Sequence, residues 1–198
     1  MVNYSEIFNE QGMDYQTYRA LVDQLLLEGK ATGDVTYDLH YTKMNVQRMN
    51  RVDKTVSLTE EFAKVIENLK GNYKFLVITE GWCGDAAQIV PVFNKIATTS
   101  LGKIDLKFVL RDKNLPLIDA HLTNGGRAIP VLIILDENAD KVLATWAPRP
   151  QVLQKLLKEW KEETTEMTIL AEKLHGWYAK DKTLSTQAEL LGVLEGLN

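Results

Sequence analysis

The sequence predicts an α/β protein: a mixed central sheet with helices on both faces, extended by helices at both ends. Three observations lead there. Residues Tyr73–Thr79 (YKFLVIT) form a near-continuous apolar run, the pattern of a strand buried on both faces. On either side, helical and strand-like periods alternate along the chain. Residues Asp136–Asp140 join two apolar runs tightly enough for an antiparallel hairpin, which makes the sheet mixed.

Taken in order, Tyr15, Tyr18, Val22, Leu25 and Leu26 follow helical spacing, and Gly29 stands where that helix would stop. Gly33–His40 reads as a loop or a short extended piece, and residues 41–52 as a weakly amphipathic helix. Ser57 followed by Glu60 is a capping-box pattern, ahead of a helix with Leu58, Phe62, Val65, Ile66 and Leu69 on one face. After the Tyr73–Thr79 strand, a helix carries Ala86, Ile89, Val90, Phe93 and Ile96 inward, with Pro91 expected to kink it. Ile104–Leu110 alternates as a strand. A short helix from Pro116 to Leu122 is stopped by Asn124-Gly125-Gly126. Val131–Leu135 and Lys141–Trp146 are the hairpin strands, and Val152, Leu153, Leu156, Leu157 and Trp160 mark the next helix. Beyond Thr164, Met167, Leu170, Leu174, Trp177 and Tyr178 keep helical spacing, and a last apolar patch spans Leu190–Leu197. Packing of both ends on the core of the same chain is the preferred reading, because large exposed apolar patches are uncommon on monomers. The expected organisation is a helical N-terminal extension over 1–52, a central domain over 53–163 and a helical C-terminal extension over 164–198.

Composition narrows the function. The 198 residues are 45% apolar and 25% charged, and 23 basic residues against 27 acidic ones give a net charge of −4. The signs are mixed along the chain, so no basic block argues for nucleic acid or an acidic membrane surface. No apolar run approaches the roughly 20 residues of a membrane helix. The opening MVNYSEIFNEQ has neither the basic start nor the apolar stretch of a secretory signal, so a cytoplasmic location is expected. His40, His121 and His175 lack metal-ligand spacing and read as surface or cap residues, so neither a metal nor a cofactor is expected. The lone cysteine, Cys83, leaves no internal disulfide to form.

Cys83 follows a strand and precedes a helix, flanked by Gly81, Trp82 and Gly84. A thiol there meets the unpaired N–H groups and positive dipole end of the helix, which favour the thiolate. Trp82-Cys83-Gly84 after a strand, Pro91 eight residues past the cysteine, and Arg127-Ala-Ile129-Pro130 opening the next long strand resemble the thioredoxin superfamily. The resemblance covers about residues 53–163. The runs Glu80-Gly-Trp-Cys-Gly-Asp-Ala86, Leu122-Thr-Asn-Gly-Gly-Arg127 and Trp146-Ala-Pro-Arg-Pro150 look like a bacterial thioredoxin-like subgroup with a WCGDA turn. The resemblance implies a thioredoxin-like fold with Cys83 as the attacking cysteine. It likewise implies Pro130 held cis beside it, Ile129 as the residue whose backbone pairs with a bound peptide, and Trp82 and Gly84 as groove wall.

Two departures from the family pattern matter. The second cysteine of the reductases is Ala86 here, and the aspartate buried in their central strand is Val77. A mixed disulfide on Cys83 has no internal thiol to resolve it, so an autonomous dithiol reductase is excluded. Asp85 opposes a thiolate, and it reads equally as a complement to the helix dipole or as a group in proton transfer. Glu80 is a second candidate acid. Arg127 is a candidate cation near the thiol, although a solvated surface charge is the preferred reading.

The expected function is therefore thiol-disulfide exchange or mixed-disulfide formation through Cys83, as a monothiol oxidoreductase. Its partner would be a disulfide-containing or oxidised protein, or a low-molecular-weight thiol, and an external thiol would release the adduct. The rival is a non-catalytic module that binds a peptide or protein in the groove beside Pro130, with Cys83 vestigial. Oligomeric state is open.

Overall fold

The computed structural model describes residues 2–33 and 39–197. Four strands, β1 (Tyr73–Thr79), β2 (Ile104–Leu110), β3 (Val131–Leu135) and β4 (Val142–Trp146), form one mixed sheet in the order β2-β1-β3-β4. β1 runs parallel to β2 and antiparallel to β3, and β3 pairs antiparallel with β4. Every residue of β3, and all of β1 except Lys74, is buried. Successive side chains of a strand point to opposite faces, so unbroken burial means that both faces are covered by helices.

The helices are α1 (Tyr4–Glu6), which continues as a π-turn to Gln11, α2 (Tyr15–Leu27), α3 (Leu39–Thr55), α4 (Glu60–Glu67), α5 (Ala86–Thr99), α6 (Leu115–Asp119), α7 (Gln151–Glu163), α8 (Met167–Asp181) and α9 (Leu184–Glu195). The predicted order from α4 through α7 is the observed one. α2 ends in a Schellman motif: the Lys30 N–H donates to Leu25 O at 2.8 Å and Gly29 N–H to Leu26 O at 3.1 Å, with Gly29 at φ +70°. Residues 34–38, most of the expected loop, lie outside the described residues, whereas Leu39 and His40 already belong to α3. α5 runs through Pro91 as one element, and the proline leaves the Ala87 carbonyl without its helical donor.

Helix limits also differ from the sequence reading at α4 and α6. α4 is capped by Thr59, whose hydroxyl accepts from Phe62 N–H at 3.2 Å, and not by Ser57. The cause is tertiary. Gln187 of α9 donates to the Ser57 carbonyl at 3.0 Å and accepts from Thr59 N–H at 2.9 Å, holding the approach to α4 extended. α6 ends at Asp119, before Leu122, and the tight turn that follows, with Asn124 at φ +50° and Gly125 at φ +78°, closes through Thr123–Gly126 hydrogen bonds.

Both ends of the chain join the core. Met13 and Phe108 exchange backbone hydrogen bonds of 2.9 and 2.7 Å along the outer edge of β2, which shields that edge from further pairing. Phe8, Tyr18 and Val22 from the N-terminal helices, and Tyr178, Leu190 and Leu194 from α8 and α9, are buried in the same apolar cluster as β1 and β3. No helix among the described residues is long and apolar enough to cross a membrane.

Candidate functional site

The turn between β1 and α5 lies at the carboxyl end of the central strand. Cys83 is 8% exposed, and its Sγ lies between two backbone groups. Ala86 N–H, in the first turn of α5, donates to Sγ at 3.4 Å, and the thiol donates to Ile129 O at 3.3 Å. The Ile129–Pro130 bond is cis, as is Ala147–Pro148. Burial, and after it the Asp85 carboxylate, push the Cys83 thiol up to about 12, outweighing the N–H groups and Arg149 that favour a thiolate. At neutral pH Cys83 is a protonated donor.

Asp85 occupies the N-cap position of α5 but makes no capping hydrogen bond. Its carboxylate accepts a guanidinium fork from Arg149 at 3.0 and 2.5 Å and the Tyr178 hydroxyl at 2.7 Å. Arg149 is thus the cation that reaches the site. Arg127 does not fill that role, because its guanidinium forks onto Asp119 at 2.6 and 2.8 Å on the exposed surface. Glu80 is fully buried and accepts from Asp112 N–H at 3.0 Å; burial, then the neighbouring Asp112, raises its carboxyl. Val77, at the family's aspartate position, is fully buried in β1 opposite Phe108 and Leu132.

Helix α8 lies over the turn. A Cβ added to Gly84 would come within 2.9 Å of His175 Cε1 and 3.0 Å of its Nε2, closer than real Cβ contacts allow. His175 is fixed by a relay. Arg51 donates to Gln88 Oε1 at 2.8 Å, which sets the amide so that Gln88 Nε2 donates to His175 Nδ1 at 3.2 Å. That acceptor role at Nδ1 puts the ring proton on Nε2, the nitrogen beside Gly84. Burial, followed by the nearby Arg48, pushes His175 down to about 4, so the ring is neutral. His175 is therefore a site residue rather than the surface or cap residue expected from its spacing. His121 is tied to the Tyr4 hydroxyl at 2.9 Å.

Beside the turn opens a cavity of about 400 Å³. Trp82, Gly84 and Asp85 form one wall, Tyr41, Asn45 and Arg48 of α3 a second, and Leu157 and Lys161 of α7 with the apolar stripe of α8 the rest. Cys83, Ile129 and Pro130 are not among its lining residues. Of the predicted groove residues, Trp82 and Gly84 face the cavity, while Ile129 and Pro130 are buried behind the thiol. Among the described residues, no cluster of three or more His, Cys, Asp or Glu side chains is placed to hold a metal ion.

With this geometry in hand, the sequence matches the family model described as Thioredoxin over residues 34–161, well over half of its length. The chain belongs to the thioredoxin family. No curated protein matches it. Among solved structures, a protein of unknown function from Pseudomonas aeruginosa is similar at 18% identity and a TM-score of 0.67, covering 100% of both chains. A crystal structure of an HIV epitope-scaffold is similar at 18% identity and a TM-score of 0.64, covering 98% of this chain and 99% of the other. At that identity the likeness speaks for the fold.

Within the family frame, sequence reasoning missed four residues that shape the site: Arg149, Tyr178, His175 and Arg48. Arg149 had a signal, a basic residue between two prolines directly after β4. Tyr178 stood in the apolar stripe of α8 with nothing to mark its hydroxyl. His175 and Arg48 carried no local signature.

Proposed function

We propose that this thioredoxin-family chain is a ligand-binding module whose cysteine is a structural donor. The observation that carries this reading is the use of the thiol: Cys83 donates a hydrogen bond to the Ile129 carbonyl. That is the backbone position through which the family resemblance would have a peptide pair. With Ile129 and Pro130 buried and Gly84 covered by His175, the open surface is the cavity on the other side of Trp82, between the turn and the terminal helices. The ligand differs in place from the peptide groove of the rival stated above, but the class of activity is the same: recognition without covalent chemistry.

Thiol exchange with a protein disulfide or a low-molecular-weight thiol is the second reading, in line with the resemblance to the WCGDA subgroup. The Ala86 N–H at Sγ supports it, since that donor favours a thiolate. Incubating the native protein with glutathione disulfide and weighing the intact chain separates the two. The binding reading predicts an unmodified mass until the protein is denatured. A single adduct on native protein, released by excess thiol, would establish the exchange reading instead.

A further inference from the structure

Resting on the binding reading above, we infer that the cavity between the Trp82 turn, α3, α7 and α8 takes a small amphipathic carboxylate, its anionic head at Arg48 and its apolar body along α8.

The volume, about 400 Å³, falls within the range typical of small-molecule sites. The floor is apolar: Leu157, Met167, Leu170 and Leu174 line it, and Met167, 72% exposed, stands at the mouth. Of the charged lining groups, the one carboxylate, Asp85, is paired with Arg149, and the others are cations. Arg149 is already neutralised by Asp85, and His175 is a neutral ring offering an N–H. Arg48 and Lys161 remain. Arg48 donates to Asn45 Oδ1 at 2.7 Å and forms no ion pair with a carboxylate among the described residues. Lys161 lies in the exposed last turn of α7.

Any occupant that fills the space strips water from the half-buried Arg48 guanidinium. A neutral or cationic occupant would leave that charge buried without a partner, which is costly; an anion supplies the missing partner and forms charge-assisted hydrogen bonds. Arg48 is already held below the usual arginine range by burial and by neighbouring Arg51. Arg48 also lines an adjoining cavity with Glu172 of α8, but Glu172 is exposed and forms no ion pair with it. An apolar body with a single anionic head satisfies both halves of the lining.

Calorimetric titration with octanoate, 1-octanol and octylamine, on the full chain, tests this. Octanoate should bind, 1-octanol at least about tenfold more weakly, and octylamine not at all. Arg48→Met should reduce octanoate affinity by at least about tenfold and leave 1-octanol unchanged, whereas Arg48→Lys should retain most of the affinity. Circular dichroism melts of each variant establish that the fold is intact, and if Arg48→Met fails to fold, the octanoate-to-octanol ratio and Arg48→Lys carry the test. Octanol binding as tightly as octanoate would overturn the anion assignment while leaving a binding module. Absence of octanoate binding would overturn the assignment as well. The binding reading itself is judged separately, and falls if native Cys83 forms the glutathione adduct.

Discussion

At Gly84 the turn is tightly constrained, since a methyl group there would collide with the His175 ring. We predict that Gly84→Ala destabilises the protein by about 1–3 kcal/mol in urea unfolding, the usual cost of overfilling a packed site. Because the clash pushes α8 outward, the variant should also react faster with thiol reagents; a stable variant with unchanged Cys83 reactivity would show that α8 does not cover the turn. At Asp85 the prediction is electrostatic. Asp85→Asn leaves Arg149 largely buried without its carboxylate and should cost about 3–5 kcal/mol, towards the lower end because the Arg149 side chain is 20% exposed. The same change removes a negative charge beside Cys83, so the thiol pKa should fall, measurable by thiolate absorbance. Part of this residue-scale picture was visible in the sequence: Cys83 stood out from a strand–turn–helix pattern, which is local, and Trp82 and Gly84 from the family resemblance. Arg149 and Tyr178 were not, because they reach Asp85 from 64 and 93 residues away along the chain, and no local period encodes such contacts.

At the scale of elements, the strands were legible nearly to the residue. β1 and β2 hold the predicted limits, since apolar run and alternation both register burial directly. The start of α4 was not, because a residue in α9, Gln187, decides where its approach stays extended. Gln187→Ala should therefore cost about 1–3 kcal/mol by stranding the Ser57 carbonyl and Thr59 N–H, and the loss should appear as faster amide exchange at the start of α4. The apolar stripe of α8 was also predicted, but a stripe does not say what it faces: its Leu170 and Leu174 line a cavity, while Tyr178 ends in an ion pair. The pH response belongs to this helix. His175 titrates near 4 when folded and near 6.5 when unfolded, so the unfolded chain binds the proton first on acidification. Its contribution is complete above about pH 6.5 and is lost as pH falls towards 4, by up to about 3 kcal/mol. His175→Gln should flatten the stability profile across that window; an unchanged profile would show that the ring is not held neutral.

For the whole molecule, the two ends of the chain are tied to the central domain by Met13 on β2, Gln187 on the approach to α4 and Tyr178 on Asp85. We predict that Trp177 of α8 and Trp82 of the turn report the same urea transition, as two single-tryptophan variants followed by fluorescence should show. An earlier transition at Trp177 would mean that α8 and α9 come away from an intact core. The central claim concerns the site that this assembly encloses, a thiol held protonated beside an open cavity. It is tested most directly by the rate of iodoacetamide reaction at Cys83 from pH 6 to 11, with the unfolded chain as reference. A thiol titrating near 12 should react at least about a hundredfold more slowly than the unfolded chain at pH 8, with a rate still climbing beyond pH 10. A rate close to that of the unfolded chain, levelling off with a midpoint below about 8.5, would contradict the account and mark Cys83 as a nucleophile.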